Sequence, residues 1–428
     1  MILKVLKVFT LFASAKLGTF AFTAIIAYTF GAEILGVTMT TLSVCIGAVL
    51  MSKFGMDLAL IKNCAICFAD KDLNKFKAYI YLASKLVLRN SLVISTILLI
   101  FVLFVQNPLL KNQLFFVVIL YPLFSILTML GSVLKSIGKP EMAAFTDIGF
   151  VTLLLSIIIF FSDNLSLVFL PEYIYPIFFG IVFLLLITIS TCISAFVLGE
   201  TLNSQNSLSI KEAVIFKASL FDYFIPGFMH YLIQWGGILI ISIFLTAGDV
   251  GKFSAAQRIS YLVNFILIVA NSILSPRFAV FYKENKIKMI EDLAVKSSTL
   301  MTVFAMLISI GILINSSYLF ELIGVEVSVI ILHILILGQL INVSTGSVSF
   351  LLNMTGHEKE MRNIMSLSAL MTIILLLILV PLLGVFGAAI SLSIGLSLQN
   401  ILATIKVYQV LGIKSLPRFL GKLFYGWK

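Results

Sequence analysis

Charge is what this chain has least of. Only 11% of its 428 residues are Asp, Glu, Lys or Arg, against roughly 25% in soluble domains. That excludes a soluble enzyme and a solvated, disordered chain. Four cysteines in this length exclude a disulfide scaffold. Histidine is scarcer still: His230, His333 and His357 lie far apart in the chain. No histidine metal site or acid–base pair is expected, and no metal or other cofactor. No G-x-x-x-x-G-K-[ST] phosphate loop occurs, because Gly138-Lys139 runs into Pro140. ATP hydrolysis is therefore not expected. The segments between apolar stretches are too short to hold a catalytic domain, so the chain is not expected to be an enzyme.

What fills the space is apolar. Hydrophobic residues make up 61% of the chain, with 37 Phe, and mean hydropathy is +1.15. A helix needs about 20 mostly apolar residues to cross a bilayer. Twelve such stretches occur, at 9–30, 36–61, 86–105, 113–134, 142–161, 174–198, 216–245, 251–280, 298–319, 327–352, 363–383 and 385–407. None has the short alternating pattern of a membrane β-barrel. Backbone groups find no water in lipid, which leaves helices. The expected fold is an all-α polytopic membrane protein of twelve transmembrane helices. Ala13-Ser14-Ala15 imitates a signal-cleavage pattern but opens the first apolar run. The first segment is therefore read as a retained span.

Basic residues set the orientation. Of the 29 Lys and Arg, Lys16, Lys53 and Arg258 fall inside spans, and Lys111 and Lys252 in or beside odd-numbered loops. The other 24 lie at the termini and even-numbered loops. Both termini are therefore expected in the cytoplasm, with much of the formal charge of +10 facing anionic headgroups. Membrane lipids account for such a face, and no nucleic-acid partner is expected.

The chain also looks doubled. The polar stretch 199–213 separates six spans from six, giving expected lobes 1–198 and 214–428 joined by a cytoplasmic linker. Gly31-Ala32-Glu33-Ile34-Leu35-Gly36 follows the first span, and Ala247-Gly248-Asp249-Val250-Gly251 the seventh. Charged amphipathic segments begin at Asp70 and Glu284, and Gly138-Lys139-Pro140-Glu141 is echoed by Gly356-His357-Glu358-Lys359. The spacings are 216 (Glu33 to Asp249), 214 (Asp70 to Glu284) and 218 (Gly138 to Gly356). Two parallel six-helix pseudo-repeats around a central cavity are expected.

Ionisable groups at membrane depth are the functional candidates. Lys16 lies about 10 Å from the cytoplasmic end of its span by helical rise, and either snorkels or faces a cavity. Lys53 is deeper and can pair with Asp57 one turn on. Asp147 and Asp222 lie near cytoplasmic ends, as interfacial or functional carboxylates. Gln257, Asn264 and Asn271 give the eighth span a polar stripe at seven-residue spacing, beside Arg258. Such a stripe has to face protein or water. Pro226-Gly227 in the long seventh span is either a tolerated kink or a gating element. Cys64-x-x-Cys67 has no further ligands nearby and is read as packing.

These residues carry a resemblance. Ala247-Gly248-Asp249-Val250-Gly251, Ala256-Gln257-Arg258-Ile259, Asn271-Ser272-Ile273-Leu274-Ser275-Pro276 and Ala279-Val280-Phe281-Tyr282 resemble a block of the polysaccharide, or O-antigen, flippases. Those belong to the multidrug/oligosaccharidyl-lipid/polysaccharide (MOP) exporter superfamily. Val380-Pro381-Leu382-Leu383-Gly384-Val385-Phe386-Gly387-Ala388-Ala389 resembles their junction of spans eleven and twelve, and Gly55-x-Asp57 a feature of span two. Val37 departs from their pattern, where an aromatic residue is frequent.

The resemblance implies transport of an undecaprenyl-pyrophosphate-linked oligosaccharide, an O-antigen or capsule repeat unit, across the bacterial inner membrane by alternating access. Lys16, Lys53 and Arg258 stand in the spans where such flippases carry basic cavity residues. They would meet the pyrophosphate, while Gln257 and Asn264 bind sugar. Asp57, Asp222 and Asp147 are the candidates for ion coupling, and Pro226 and Gly227 for gating. Asp57 has a second reading, as a structural counter-charge to Lys53. Glycosyltransferases or a polysaccharide polymerase would be partners. The rivals are a multidrug or cation antiporter of the same superfamily, whose cavity should be acidic, and a flippase for a peptidoglycan or teichoic precursor.

Overall fold

A peptide group facing hydrocarbon has to be hydrogen-bonded within its own segment, and the chain satisfies that demand almost entirely with helices. The computed structural model describes residues 2–164, 170–198 and 209–425, apart from the side chains of 2–13, 15, 16, 69, 163, 164, 194–198, 269, 272, 273, 276 and 422–425. The helices in the first half are α1 (Ile2–Lys53), α2 (Met56–Ala69), α3 (Leu73–Phe104), α4 (Pro108–Ser136), α5 (Pro140–Ala143), α6 (Ile148–Asn164) and α7 (Ile174–Leu198). The second half has α8 (Ile210–Phe244), α9 (Ala247–Lys283), α10 (Ile287–Ile314), α11 (Ser316–Ile323), α12 (Val329–Ser344), α13 (Val348–Met354), α14 (Glu358–Leu383), α15 (Val385–Leu411) and α16 (Arg418–Tyr425).

The protein is an all-helical, multi-pass membrane protein, and each of the twelve expected spans falls on one of these helices or on a consecutive pair. Among the described residues nine helices are long and apolar enough to cross a membrane, or ten if the 57° bent pair Pro140–Thr146 and Ile148–Ser162 counts as one span. Two features explain the difference from twelve. α1 runs two expected spans together, with only Gly31 (φ 81°, ψ 177°) breaking its helical geometry. α9 is the most polar of the long helices.

Several boundaries differ from the sequence expectation. Residues 32–36 are helical, where a loop was expected over 30–36. Thr246 caps α9 through a reciprocal box with Asp249, so Ala247-Gly248-Asp249 opens that helix instead of forming a loop. The second and tenth spans are each broken, at Phe54–Gly55 and at Thr345–Ser347.

By its contacts the chain forms two compact units: 1–30 with 37–228, and 31–36 with 229–428. The sequence suggested a division at 199–213, of which 199–208 lie outside the described residues. The contacts divide the chain later, inside α8. The reason is that the first part of α8 packs on the first unit. Phe224 stacks on Phe54 with ring centroids 4.5 Å apart, and Phe216 meets Tyr79 at 5.4 Å. Gly55 is required there twice over. Its φ is +80°, and a Cβ would lie 2.3 Å from the Leu220 carbonyl oxygen.

The first unit packs α4 against α2, α3 and α7. Tyr121, Phe124, Tyr175 and Phe178 are fully buried there. Several buried polar groups are paired across helices. Thr41 Oγ1 donates to Gln113 Oε1 (3.2 Å), Gln113 Nε2 to Thr38 Oγ1 (3.4 Å), and the Tyr175 hydroxyl to the Thr38 carbonyl (2.9 Å). In the second unit α12 packs on α9 and α15, and α14 on α15. Its core includes Phe278, Ile290, Leu352 and Val407. The outer faces are apolar, as on Leu92, Leu103, Leu184 and Leu307, each at least 60% exposed.

The doubling is visible in the turns. Lys71 (φ 56°) and Asn285 (φ 55°) both adopt left-handed backbone, 214 positions apart. After each, an N–H reaches back five residues: Asp72 to the Cys67 carbonyl and Lys286 to the Phe281 carbonyl, both at 2.9 Å. Gly138 (φ 73°) and Gly356 (φ 82°) repeat the motif at 218 positions. There Lys139 N–H reaches Leu134 O (3.0 Å) and His357 N–H reaches Leu352 O (2.9 Å). All four close the preceding helix in the same way.

The two repeated glycine segments meet inside the second unit. A Cβ on Gly36 would lie 1.7 Å from the Ala247 carbonyl oxygen, and one on Gly251 1.8 Å from that of Ala32. Gly36→Ala and Gly251→Ala are each expected to cost about 1–3 kcal/mol through forced backbone shifts. Gly236→Ala, in open space on α8, is expected to be neutral or to stabilise by about 0.5–1 kcal/mol. Thermal melting in detergent, read by size exclusion, checks the contrast. A Gly251→Ala protein melting with the unsubstituted chain would refute the close packing.

Candidate functional site

Each unit holds a polar cavity among its helices. In the first, α1 ends at Lys53, the left-handed pair Phe54 (φ 43°) and Gly55 turns the chain, and Asp57 sits in the first turn of α2. The turn keeps both charges on one side, with Lys53 Nζ 2.7 Å from Asp57 Oδ2. Ser132 on α4 donates to Asp57 Oδ1 at 3.2 Å. Thr128, Lys135, Thr146 and Asp147 line the same cavity of about 320 Å³. Asp147 lies at the bend before α6 and accepts from the Gly149 N–H at 2.9 Å. Lys53, Asp57 and Asp147, separate candidates in the sequence, thus share one cavity. Both carboxylates already have partners.

The second cavity, also about 320 Å³, is different in kind. Gln257, Asn264 and Asn271 of α9 all line it, joined by Ser260 and Tyr261. α12 adds Gln339 and Asn342, and α15 adds Gln399 and Asn400. Among the described residues that line it, none is Asp, Glu, Lys or Arg. Gln257 is 2% exposed, and its Nε2 donates to the Gln234 carbonyl at 3.3 Å. Its Oε1 has no hydrogen-bond donor, nor do the Oδ1 atoms of Asn264 and Asn271.

Arg258 is not among the residues lining this cavity. Its guanidinium lies over the Trp235 ring, 4.6 Å from the centroid, and 5.7 Å from that of Tyr261, the geometry of a cation–π contact. Its Nε has no acceptor. Asp222 is exposed on α8 and lines neither cavity. Pro226 and Gly227 lie in α8, which remains helical through both, just ahead of the boundary between the units. The side chain of Lys16 lies outside the described residues. Cys64 and Cys67 are buried free thiols. No metal-holding group of three His, Cys, Asp or Glu occurs among the described residues.

Ser132 and Lys135 in the first cavity, and Gln339, Asn342, Gln399 and Asn400 in the second, are not among the candidates drawn from the sequence. The amides carry a legible signal, since Gln339 and Asn342 interrupt an apolar span at one-turn spacing.

No family model and no curated protein matches the chain. Solved structures do match its fold. A multidrug resistance MATE family transporter of the MOP superfamily, inward-facing, is similar at TM-score 0.68 and 14% identity, over 93% of this chain and 94% of that one. The lipid II flippase MurJ, inward closed, is similar at TM-score 0.67 and 15% identity, over 95% and 87%. The MATE multidrug transporter DinF-BH gives 0.62 and 18%, over 96% of each. The chain therefore has the fold of MOP-superfamily transporters.

Lys53 and Asp57 are expected to be coupled energetically. Lys53→Ala leaves a half-buried carboxylate with Ser132 as its remaining hydrogen-bond partner and is expected to destabilise by about 1–2 kcal/mol, below the buried-pair range because Asp57 is 33% exposed. Replacing both residues by alanine should recover much of that loss. A double-mutant cycle on melting temperature measures the coupling. Additive effects would mean that the pair contributes nothing.

Proposed function

We propose that this protein is a flippase that carries a lipid-linked oligosaccharide across the bacterial inner membrane by alternating access. The single observation behind this is the second cavity, ringed by carboxamides and hydroxyls with no charged side chain among the described residues that line it. Such groups both donate and accept, which suits the hydroxyls of a sugar. They bring no carboxylate to offset the charge of a cationic drug, and Asp57 in the first cavity is already paired with Lys53.

The carrier lipid is undecaprenyl pyrophosphate; Lys16 and Lys53 of the first unit and Arg258 of the second are the cations proposed to meet its phosphates, Lys53 by exchanging its Asp57 partner. The cargo is an O-antigen or capsule repeat unit, and glycosyltransferases or a polysaccharide polymerase work beside the flippase. Both termini and the 199–213 linker face the cytoplasm, in keeping with the 24 Lys and Arg of that side. Asp57, Asp147 and Asp222 are the candidates for ion coupling, Asp57 once the pyrophosphate has drawn Lys53 away from it, and Pro226-Gly227 is the flexing point of α8.

Reconstitution in vesicles tests this. The protein is expected to move an undecaprenyl-pyrophosphate-linked oligosaccharide between leaflets. Arg258→Ala is expected to slow movement by at least about tenfold at equal folded amount, and Arg258→Lys to keep part of it, because a fixed cation with forked donors suits phosphate. Uptake of a lipophilic cation with no movement of the glycolipid would favour the multidrug alternative instead.

A further inference from the structure

We infer that the cavity of the second unit selects against anionic glycans, excluding those with a uronic acid or phosphate in the sugar portion. This rests on the flippase function proposed above and narrows its substrate class.

The chemistry of the lining carries it. Among the described residues that line it, the only ordinarily titratable side chains are His230 and Tyr261. A sugar carboxylate or phosphate brought there would lose its hydration without gaining a Lys or Arg. Arg258 is the cation beside the lining, and it already packs over Trp235 and Tyr261. In the proposed function its charge serves the pyrophosphate, so a second negative charge would find none.

The hydrogen-bonding pattern points the same way. The Gln257 bond to the Gln234 carbonyl fixes which end of that amide is oxygen. That oxygen, the Oδ1 atoms of Asn264 and Asn271, and Ser347 Oγ are buried without partners. Amide oxygens only accept. They call for a ligand rich in O–H and N–H donors, which neutral hexoses and N-acetylhexosamines supply. A carboxylate or phosphate substituent only accepts, and would leave those oxygens without a donor.

The test uses the full chain in vesicles with two undecaprenyl-pyrophosphate glycans of equal length. One is built of neutral hexose and N-acetylhexosamine; the other has one hexose replaced by a uronic acid. The neutral glycan is expected to move at least about tenfold faster. Asn264→Lys, purified as a monodisperse species, is expected to reduce or reverse that ratio by supplying the missing cation. Equal rates for the two glycans, or a ratio unchanged by Asn264→Lys, overturn the selectivity and leave the flippase function standing. Movement of neither glycan overturns both.

Discussion

A polar side chain within a membrane span has to face protein, water or a ligand, because lipid offers it no partner. The architecture follows from that constraint. Many serine and threonine hydroxyls in the spans turn back on the helix that bears them: Ser125 donates to Tyr121 O at 2.8 Å and Thr372 to Ser368 O at 2.7 Å. They add polarity without needing an outside partner. The longer amides cannot all do this. They gather on α9, α12 and α15 around one cavity, and several of their oxygens have no donor in the protein. A site that leaves buried acceptors open is one arranged for something that donates.

The two cavities divide the chemistry. The first unit's is charged and internally compensated, with Lys53 held by Asp57, and Asp57 held in turn by Ser132. The second unit's is polar and uncharged among the described residues that line it. Transporters with this fold include multidrug exporters and a lipid II flippase, so the fold alone does not select a substrate. The side chains carry that information, and the proposed substrate rests on the lining of the second cavity.

Much of the fold was legible in the sequence because hydropathy at span length is a strong signal. The doubling was legible because turn residues repeat at fixed spacing: Lys71 and Asn285, Gly138 and Gly356, close their helices identically. The breaks were not legible. Gly31 interrupts α1 for a single residue instead of opening a loop, and local composition cannot tell those outcomes apart. The site was legible only in part. The seven-residue stripe on α9 announced its cavity, and the Lys53–Asp57 spacing announced its ion pair. Arg258 did not follow the stripe: Gln257 and Ser260 beside it line the cavity, while its guanidinium turns onto Trp235. The contributions of α12 and α15 depend on which helices pack on α9, and no single span records that.

The most direct measurement is to locate the sugar. A lipid-linked oligosaccharide bearing a photoreactive diazirine on its sugar can be cross-linked to the unsubstituted protein, and the modified peptides identified by mass spectrometry. The account predicts adducts on α9, α12 and α15 at the residues around Gln257, Asn264, Gln339 and Gln399. Adducts confined to the lipid-facing surface, such as that around Leu307, or to the Lys53–Ser132 cavity of the first unit, would contradict it.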